Sequence, residues 1–335
     1  MKRIFAFLSI TIAAMAPCAC DFLEEENYTE LSTETFFQDA KNVKYAVNGC
    51  YDILQKLAPQ YVPCLETPTD YVCVSPDKKN AKETTWLNGV FTYSDERPSA
   101  VWEIAYMLIF NCNQVIDNID AADLDDTLRE RYIAEVRFLR GWSYLVLTNL
   151  FGDVPLRTTS KFGSSFSCEL TPQSGIYDFL LEDLKYAEDH LYDFSYGRTL
   201  PDSKGLYKDN EHMRVSVDAA LGMEALAYMY RAQNDAASPY WARARAKADS
   251  LITRYGGIDN AITGGWLSES YGSLFRGQTK YCRENLFSVY FDNGSKDDGS
   301  SLANNWAIYA NYSKAANAGF RRFTNLWYQI GRAHV

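Results

Sequence analysis

The sequence has little of what most catalytic machinery needs. Its 335 residues include only 3 histidines. None forms a His-Glu-x-x-His pair, and there is no Gly-x-Ser-x-Gly elbow and no Gly-rich phosphate loop. Those absences exclude zinc proteases, hydrolases of the nucleophile-elbow type and P-loop nucleotide hydrolases. The 8 cysteines are thinly spread and contain no Cys-x-x-Cys, so no zinc site is expected. Positive charge is also short: 33 Lys and Arg stand against 43 Asp and Glu, a formal charge of −10. Nucleic acid is therefore not an expected partner, because binding it relies on clustered cations. Carboxylates are plentiful but in no diagnostic arrangement, so a secreted glycan hydrolase stays open. The run Asp292 to Gly299 misses the spacing of an EF-hand and reads as a solvated loop. No metal and no cofactor are expected. His190 and His212 read as solvated residues at helix ends, and His334 lies in the tail.

What is present is aromatic and apolar. The chain has 24 Tyr, 18 Phe and 7 Trp, with 47% hydrophobic residues overall, which excludes a disordered chain. That many rings can fill a core and still leave some as exposed stacking platforms.

The N-terminus reads as a targeting segment. Lys2 and Arg3 precede an apolar run from Ile4 to Met15, too short for a comfortable membrane span. Cleavage before Cys18 would put Pro17 at the scissile bond, whereas cleavage before Cys20 puts Ala19 there. The expectation is a signal peptide over 1–19 and a lipidated Cys20, with plain secretion as the alternative. Removing that segment takes away two cations and no acid, making the mature chain more acidic. Residues 20–34 follow as an acidic tether containing Asp21 and Glu24 to Glu26. Cys50 and Cys112 fall on apolar helix faces, where cysteine acts as a small hydrophobe. Whether Cys64 and Cys73 pair is left open by the sequence.

Helical periodicity dominates the middle of the chain. Val43, Val47, Cys50, Leu54 and Leu57 form one stripe, and Val101, Ala105, Leu108, Cys112, Val115 and Ile119 another. Arg131 to Leu156 has two: Tyr132, Val136, Leu139, Ser143, Val146 and Leu150 on one face, Phe138, Trp142 and Leu145 on a second. A surface helix needs one stripe, so this one is expected between neighbours. Arg131 and Glu135 are spaced to pair, while Arg137 and Arg140 read as snorkelling side chains or partners of buried carboxylates. Further on, Thr171 is a candidate cap with Pro172 at the first helical position, and Ile176, Leu180, Leu184, Ala187 and Leu191 share a face. Ser216 is a candidate cap for a helix with Ala220, Met223, Ala227 and Tyr230 inward. Ser238, Pro239 and Gly256 bracket another with Trp241, Ala244, Ala248, Leu251 and Tyr255 inward. Successive helices rich in Ala and Tyr predict a mainly α chain of tetratricopeptide-like pairs with an irregular period. After Gly257 the texture becomes loop-rich, with Glu284 to Phe291 as a strand candidate.

These pieces, in order, resemble the SusD/RagB-like nutrient-binding outer-membrane lipoproteins of Bacteroidetes. The resemblance runs through the lipid cysteine and its acidic neighbours, which look like a surface-export signal. It continues in Phe36, Phe37, Asn48, Gly49 and Tyr51, then Trp102, Tyr106 and the Cys112–Asn113 pair. Its most specific part is Ala134-Glu135, Arg137-Phe138-Leu139-Arg140, Tyr144 and Phe151-Gly152-Asp153-Val154-Pro155. The resemblance implies tetratricopeptide-like helix pairs supporting an irregular, loop-rich, ligand-binding subdomain, and no enzymatic activity. It implies an outer-membrane, cell-surface, lipid-anchored protein that binds an oligosaccharide ligand and caps a SusC-like TonB-dependent transporter.

On that basis the expected organisation is a helical domain over 35–257 with an inserted loop at 58–97, followed over 258–329 by the start of the irregular subdomain. Residues 330–335 read like a translated sequencing adapter, and the chain is expected to be a fragment. Sugar recognition needs flat rings against pyranose C–H faces, with amides and carboxylates for the hydroxyls. Asp70, Trp86, Asn88 and Tyr93 in the inserted loop, and Trp306, Tyr309 and Tyr312 further on, are the candidate ligand residues, with Trp266 and Tyr271 behind them. The alternatives are a tetratricopeptide scaffold for peptides or proteins, and the glycan hydrolase noted above.

Overall fold

The structure is a computed structural model. It describes residues 33–66, 68–69, 72–74, 96–161, 168–192, 214–233, 235–263, 286–287, 289 and 321–323. After a short α1 (Thr33–Phe36), six helices follow in order: α2 (Ala40–Glu66), α3 (Glu96–Asn118), α4 (Asp126–Phe151), α5 (Gln173–His190), α6 (Val217–Ala232) and α7 (Tyr240–Arg254). A short α8 (Ile258–Thr263) comes after them. Strands are few: β1 (Val72–Val74), β2 (Val154–Pro155), β3 (Leu170–Thr171) and β4 (Arg321–Phe323). No described helix is long and apolar enough to cross a membrane.

Each long helix packs on the next, so α2/α3, α4/α5 and α6/α7 form three pairs in one array. The mainly α, tetratricopeptide-like reading holds. The stripes on α2 and α3 are buried, and so is the α5 stripe. Helix α4 is the interior helix its two stripes predicted: it lies against α3 and α5 and also touches α2 and α6. Tyr132, Val136, Phe138, Leu139 and Ser143 are all fully buried. Burying a large apolar side chain stabilises by about 1.5–3 kcal/mol, and only a middle helix collects that on both sides.

The ends of α4 follow from local chemistry. Asp125 caps it, its carboxylate accepting from the Leu128 N–H at 3.0 Å. Gly152 stops it with φ +75° and donates its N–H to Thr148 O at 2.9 Å; that φ favours a residue without Cβ. Close approach inside the array is permitted by Gly141. A Cβ there would lie 3.2 Å from Leu180 O and 3.4 Å from Leu184 Cγ, both on α5.

Several expectations are corrected. Helix α2 does not stop at Leu57 but continues to Glu66 through Pro59 and Pro63, so the inserted segment begins after 66 rather than at 58. Proline in a helix interior costs about 3 kcal/mol, and tertiary packing offsets it here: Tyr61 sits edge-on to Trp142 at 6.0 Å, and Cys64 is buried and donates to Gln60 O. Thr171 does not cap α5; it is paired to Val154 in β3, and the Asp153 carboxylate takes the Gln173 N–H at 2.8 Å instead. The Ser216 cap is formed, with Ala219 N–H 3.3 Å from its hydroxyl. Helix α7 starts at Tyr240, with Pro239 in the cap position, and the Ser238 hydroxyl accepts from the Tyr240 N–H at 3.5 Å. Gly256 (φ +79°) and Gly257 end it, donating to Thr253 O and Ile252 O. Trp241 and Tyr230 point outward, 39% and 43% exposed. Of residues 284–291, Leu286, Phe287 and Val289 are described and none is in a strand; Phe287 packs edge-on against Phe138 at 5.6 Å.

Candidate functional site

The candidate ligand residues Asp70, Trp86, Asn88, Tyr93, Trp306, Tyr309 and Tyr312 lie outside the described residues, as do Trp266, Tyr271 and Cys20. What the structure does describe is the framework from which their segments emerge. The first segment leaves α2 at Glu66 and rejoins the array at Glu96. Within it β1 pairs antiparallel with β4, Val72 opposite Phe323 and Val74 opposite Arg321. This short ladder joins the backbone just after Asp70 to backbone downstream of Tyr312. Two segments far apart in sequence are thus tied to each other by main-chain hydrogen bonds.

The stems of the first segment are fixed by aromatic packing. Trp102 on α3 meets Phe151 edge-on at 5.1 Å and Tyr106 at 4.9 Å, and the Tyr106 hydroxyl donates to Pro155 O at 2.7 Å. Such ring pairs contribute about 0.5–1.5 kcal/mol beyond burial.

Below them lies a buried polar network centred on Arg140. Its Nε and Nη2 donate to both oxygens of Asp183 on α5, at 2.7 and 2.8 Å. Its Nη1 donates to Asn113 Oδ1 on α3 at 2.5 Å and to Thr158 O at 3.4 Å. Asn113 in turn donates to Arg157 O at 3.1 Å, and Tyr144 both donates to that carbonyl and accepts the Arg157 N–H. Asp117 receives Thr159 Oγ1 and both the N–H and hydroxyl of Ser160, each at 2.7 Å. Burial pushes the Asp183 carboxyl up, and Arg140 only partly offsets that. Burial works against the Arg140 charge, but the Asp183 hydrogen bonds outweigh it and hold the guanidinium above its usual range. The pair is bidentate, and its function is to pin the connector 156–160 onto three helices. Of the two sequence readings of Arg140, partner of a buried carboxylate is the one observed.

A second network surrounds Glu135, which is fully buried. It accepts from Tyr51 on α2 at 2.9 Å and from Arg214 at 2.5 Å, and Arg131 stands 3.4 Å away. Arg214 also bonds Asn48, so one carboxylate joins α2, α4 and the segment leading into α6. A third cluster lies between α5, α6 and α7. Lys247 Nζ is 2.5 Å from Glu188 and 2.8 Å from Glu224. Burial raises the Glu224 carboxyl to about 7. Burial also acts on Glu188, but Lys247 outweighs it and holds that group below its ordinary value. Two close carboxylates would suit glycoside hydrolysis, but here an ammonium occupies the space between them and the three groups bind helices together. Among the described residues no group of three His, Cys, Asp or Glu could hold a metal ion.

Glu135, Asp183, Asp218 and Glu224 are all buried, and apart from the Arg131–Glu135 spacing the sequence reading did not place them. Their signal was position: Asp183 sits between Leu180 and Leu184, and Glu224 four residues after Ala220. A carboxylate interrupting an apolar stripe marks a buried ion pair as readily as a break in the stripe.

The framework can now be compared with known proteins. Residues 21–207 match the family described as starch-binding, associating with the outer membrane.

The chain belongs to this SusD-like family.

A SusD-like protein of Formosa agariphila, P2, is 28% identical over 210 residues, covering 60% of this chain and 40% of its own. The chain thus spans less than half the length of that curated relative. Among solved structures, a SusD homolog from Bacteroides thetaiotaomicron superposes with a TM-score of 0.69 at 19% identity, over 92% of this chain and 58% of that one. A laminarin-binding SusD-like protein superposes with a TM-score of 0.62 at 20% identity, over 80% of this chain and 57% of that one. At these identities the superpositions show the fold, and the fold is the helical array.

Proposed function

We propose that this SusD-like chain belongs to a cell-surface glycan-binding lipoprotein, anchored in the outer membrane through lipidated Cys20. It captures oligosaccharides and delivers them to a SusC-like TonB-dependent transporter without cleaving them. The observation that carries the reading is the family match on an array whose described interior ionic groups are committed to helix packing. Arg140, Asp183, Glu135, Lys247, Glu188 and Glu224 all hold helices or connectors in place. Ligand chemistry then falls to the aromatic segments outside the array. The β1–β4 ladder supports placing Asp70, Trp86, Asn88 and Tyr93 in one site with Trp306, Tyr309 and Tyr312. The laminarin-binding relative supports an oligosaccharide as the ligand class.

Calorimetric screening of the full-length protein against oligosaccharides tests the reading. Binding without turnover is expected, and release of reducing ends would refute it. Trp86→Ala or Trp306→Ala is expected to weaken binding, since loss of one stacking ring removes about 1 kcal/mol or more; unchanged affinity in both variants would remove these residues from the site. Cys20→Ser is expected to move the protein from the membrane fraction to the soluble fraction.

A further inference from the structure

Arg137 differs from the other charged groups of the array. It stands one turn before Arg140 on α4, and both approach Asp183 on α5. Arg140 takes both carboxylate oxygens, at 2.7 and 2.8 Å. Arg137 Nε is left 3.9 Å from Asp183 Oδ1, beyond hydrogen-bond reach. One carboxylate thus faces two guanidinium groups, and the three together carry a net positive charge. What holds Arg137 is a ring. Its guanidinium lies over Tyr186 on α5, 4.2 Å from the centroid. The His190 imidazole stacks on the same ring at 4.0 Å, with 16° between the planes, and its Nδ1 lies 2.9 Å from Tyr186 O. Two groups so close to one centroid occupy its two faces, so Tyr186 is clamped between them.

Stacking uses the face of a guanidinium and leaves its in-plane N–H donors available. In Arg140 those donors go to Asp183, Asn113 and Thr158 O. Arg137 makes no hydrogen bond among the described residues: its Nε is buried without a partner, while Nη1 and Nη2 keep contact with solvent on a side chain 31% exposed. Glu130 and Glu182 are exposed, and among the described residues neither pairs with it. The inner edge of the cation is therefore dry and unbonded, and its outer edge presents two parallel donors beside a net positive charge. We propose that Arg137, positioned by Tyr186 and His190, is a binding site for a small oxyanion, a carboxylate or sulfate group taken end-on by Nη1 and Nη2. Such a fork matches two oxygens of one group. The group arrives either as a free ion or on an acidic sugar. The site is built from α4 and α5 alone, so it stands or falls independently of the aromatic loop residues and of what they bind.

The test is calorimetric titration of the full-length protein, at constant ionic strength, with sodium sulfate, sodium glucuronate and glucose. Saturable heat is expected with sulfate or glucuronate and not with glucose. A response to sulfate alone identifies the free ion as the ligand, and a response to glucuronate identifies the anion carried on a sugar. Arg137→Met is expected to weaken that binding about tenfold or more, the effect of one lost hydrogen bond to a charged group. Arg137→Lys keeps the charge but loses the fork, so its affinity is expected to fall between the two; it supplies the comparison if the methionine variant does not fold. Arg245→Ala, on α7, is expected to bind as the parent does. No saturable heat with either anion would overturn the proposal, as would equal affinity in the parent and the Arg137 variants.

Discussion

Helices α4 and α7 belong to the same array but live in different environments. Along α4, sixteen residues are buried, including Arg131, Glu135 and Arg140; along α7 only Ala244 is. Helix α7 displays Trp241 to solvent and is held by charged groups at its margin: Lys247 to α5 and α6, and Arg254, whose Nε lies 2.7 Å from Asp218. An interior helix is fixed by shape and by buried pairs that must form together. An outer helix is fixed by one apolar edge and a few partly wet ion pairs. The same 3.6-residue period therefore supports very different stabilities.

The comparison can be broken most sharply at Arg140. Replacing it by Met leaves Asp183 buried and Asn113 short of a donor, with an expected loss of about 3–5 kcal/mol measured by urea unfolding of the full-length protein. A loss under 1 kcal/mol would show that the network is not holding the array. Gly141→Val comes next: its side chain must displace the α5 backbone near Leu180 O, an expected cost of about 1–3 kcal/mol in the same assay.

The α7 attachment predicts a pH dependence instead. Glu224 is raised from 4.5 to about 7. A carboxyl raised in the folded state contributes stability that is full below its unfolded value and lost as pH rises through the folded one. Stability from this group should therefore fall between about pH 4.5 and 7, by about 1–3 kcal/mol. Glu188, held low, acts with the opposite sign and only below that window. Glu224→Gln should flatten the slope in chemical denaturation at stepped pH; an unchanged slope would refute the assignment. The smallest effect is expected at Arg245, 84% exposed and paired to Asp249 at 3.5 Å. Arg245→Ala should change stability by less than about 0.5 kcal/mol.

The two helices also differ in how far their sequences could be read. Both stripes of α4 were legible because apolar residues recur on two faces, and burial confirmed Tyr132 and Phe138 alike. On α7 the same reasoning turned Trp241 inward, but an edge helix has too few neighbours to bury every ring on its stripe. The apolar stripe of α2 was read only as far as Leu57, whereas the helix continues through Pro59 and Pro63 to Glu66, with Tyr61 packed on Trp142, distant in sequence. Buried ion pairs were legible only where spacing was local, as for Arg131 and Glu135. Arg140 and Asp183 are 43 residues apart, and no local pattern reports such a partner. The candidate ligand residues rest on ring chemistry and on the SusD/RagB resemblance, because a loop platform has no period to read.

The Arg140–Asp183 pair has a consequence for assembly. An array of look-alike amphipathic helices faces a sorting problem, since apolar stripes of similar width can dock against the wrong neighbour or one turn out of step. Guanidinium and carboxylate punish such errors, because a slip of one turn strands two charges in a dry interface. Gly141 sharpens the discrimination by letting α4 and α5 approach closely only where it sits. Together the three residues act as an address label, telling α4 which helix to lie on and at which turn.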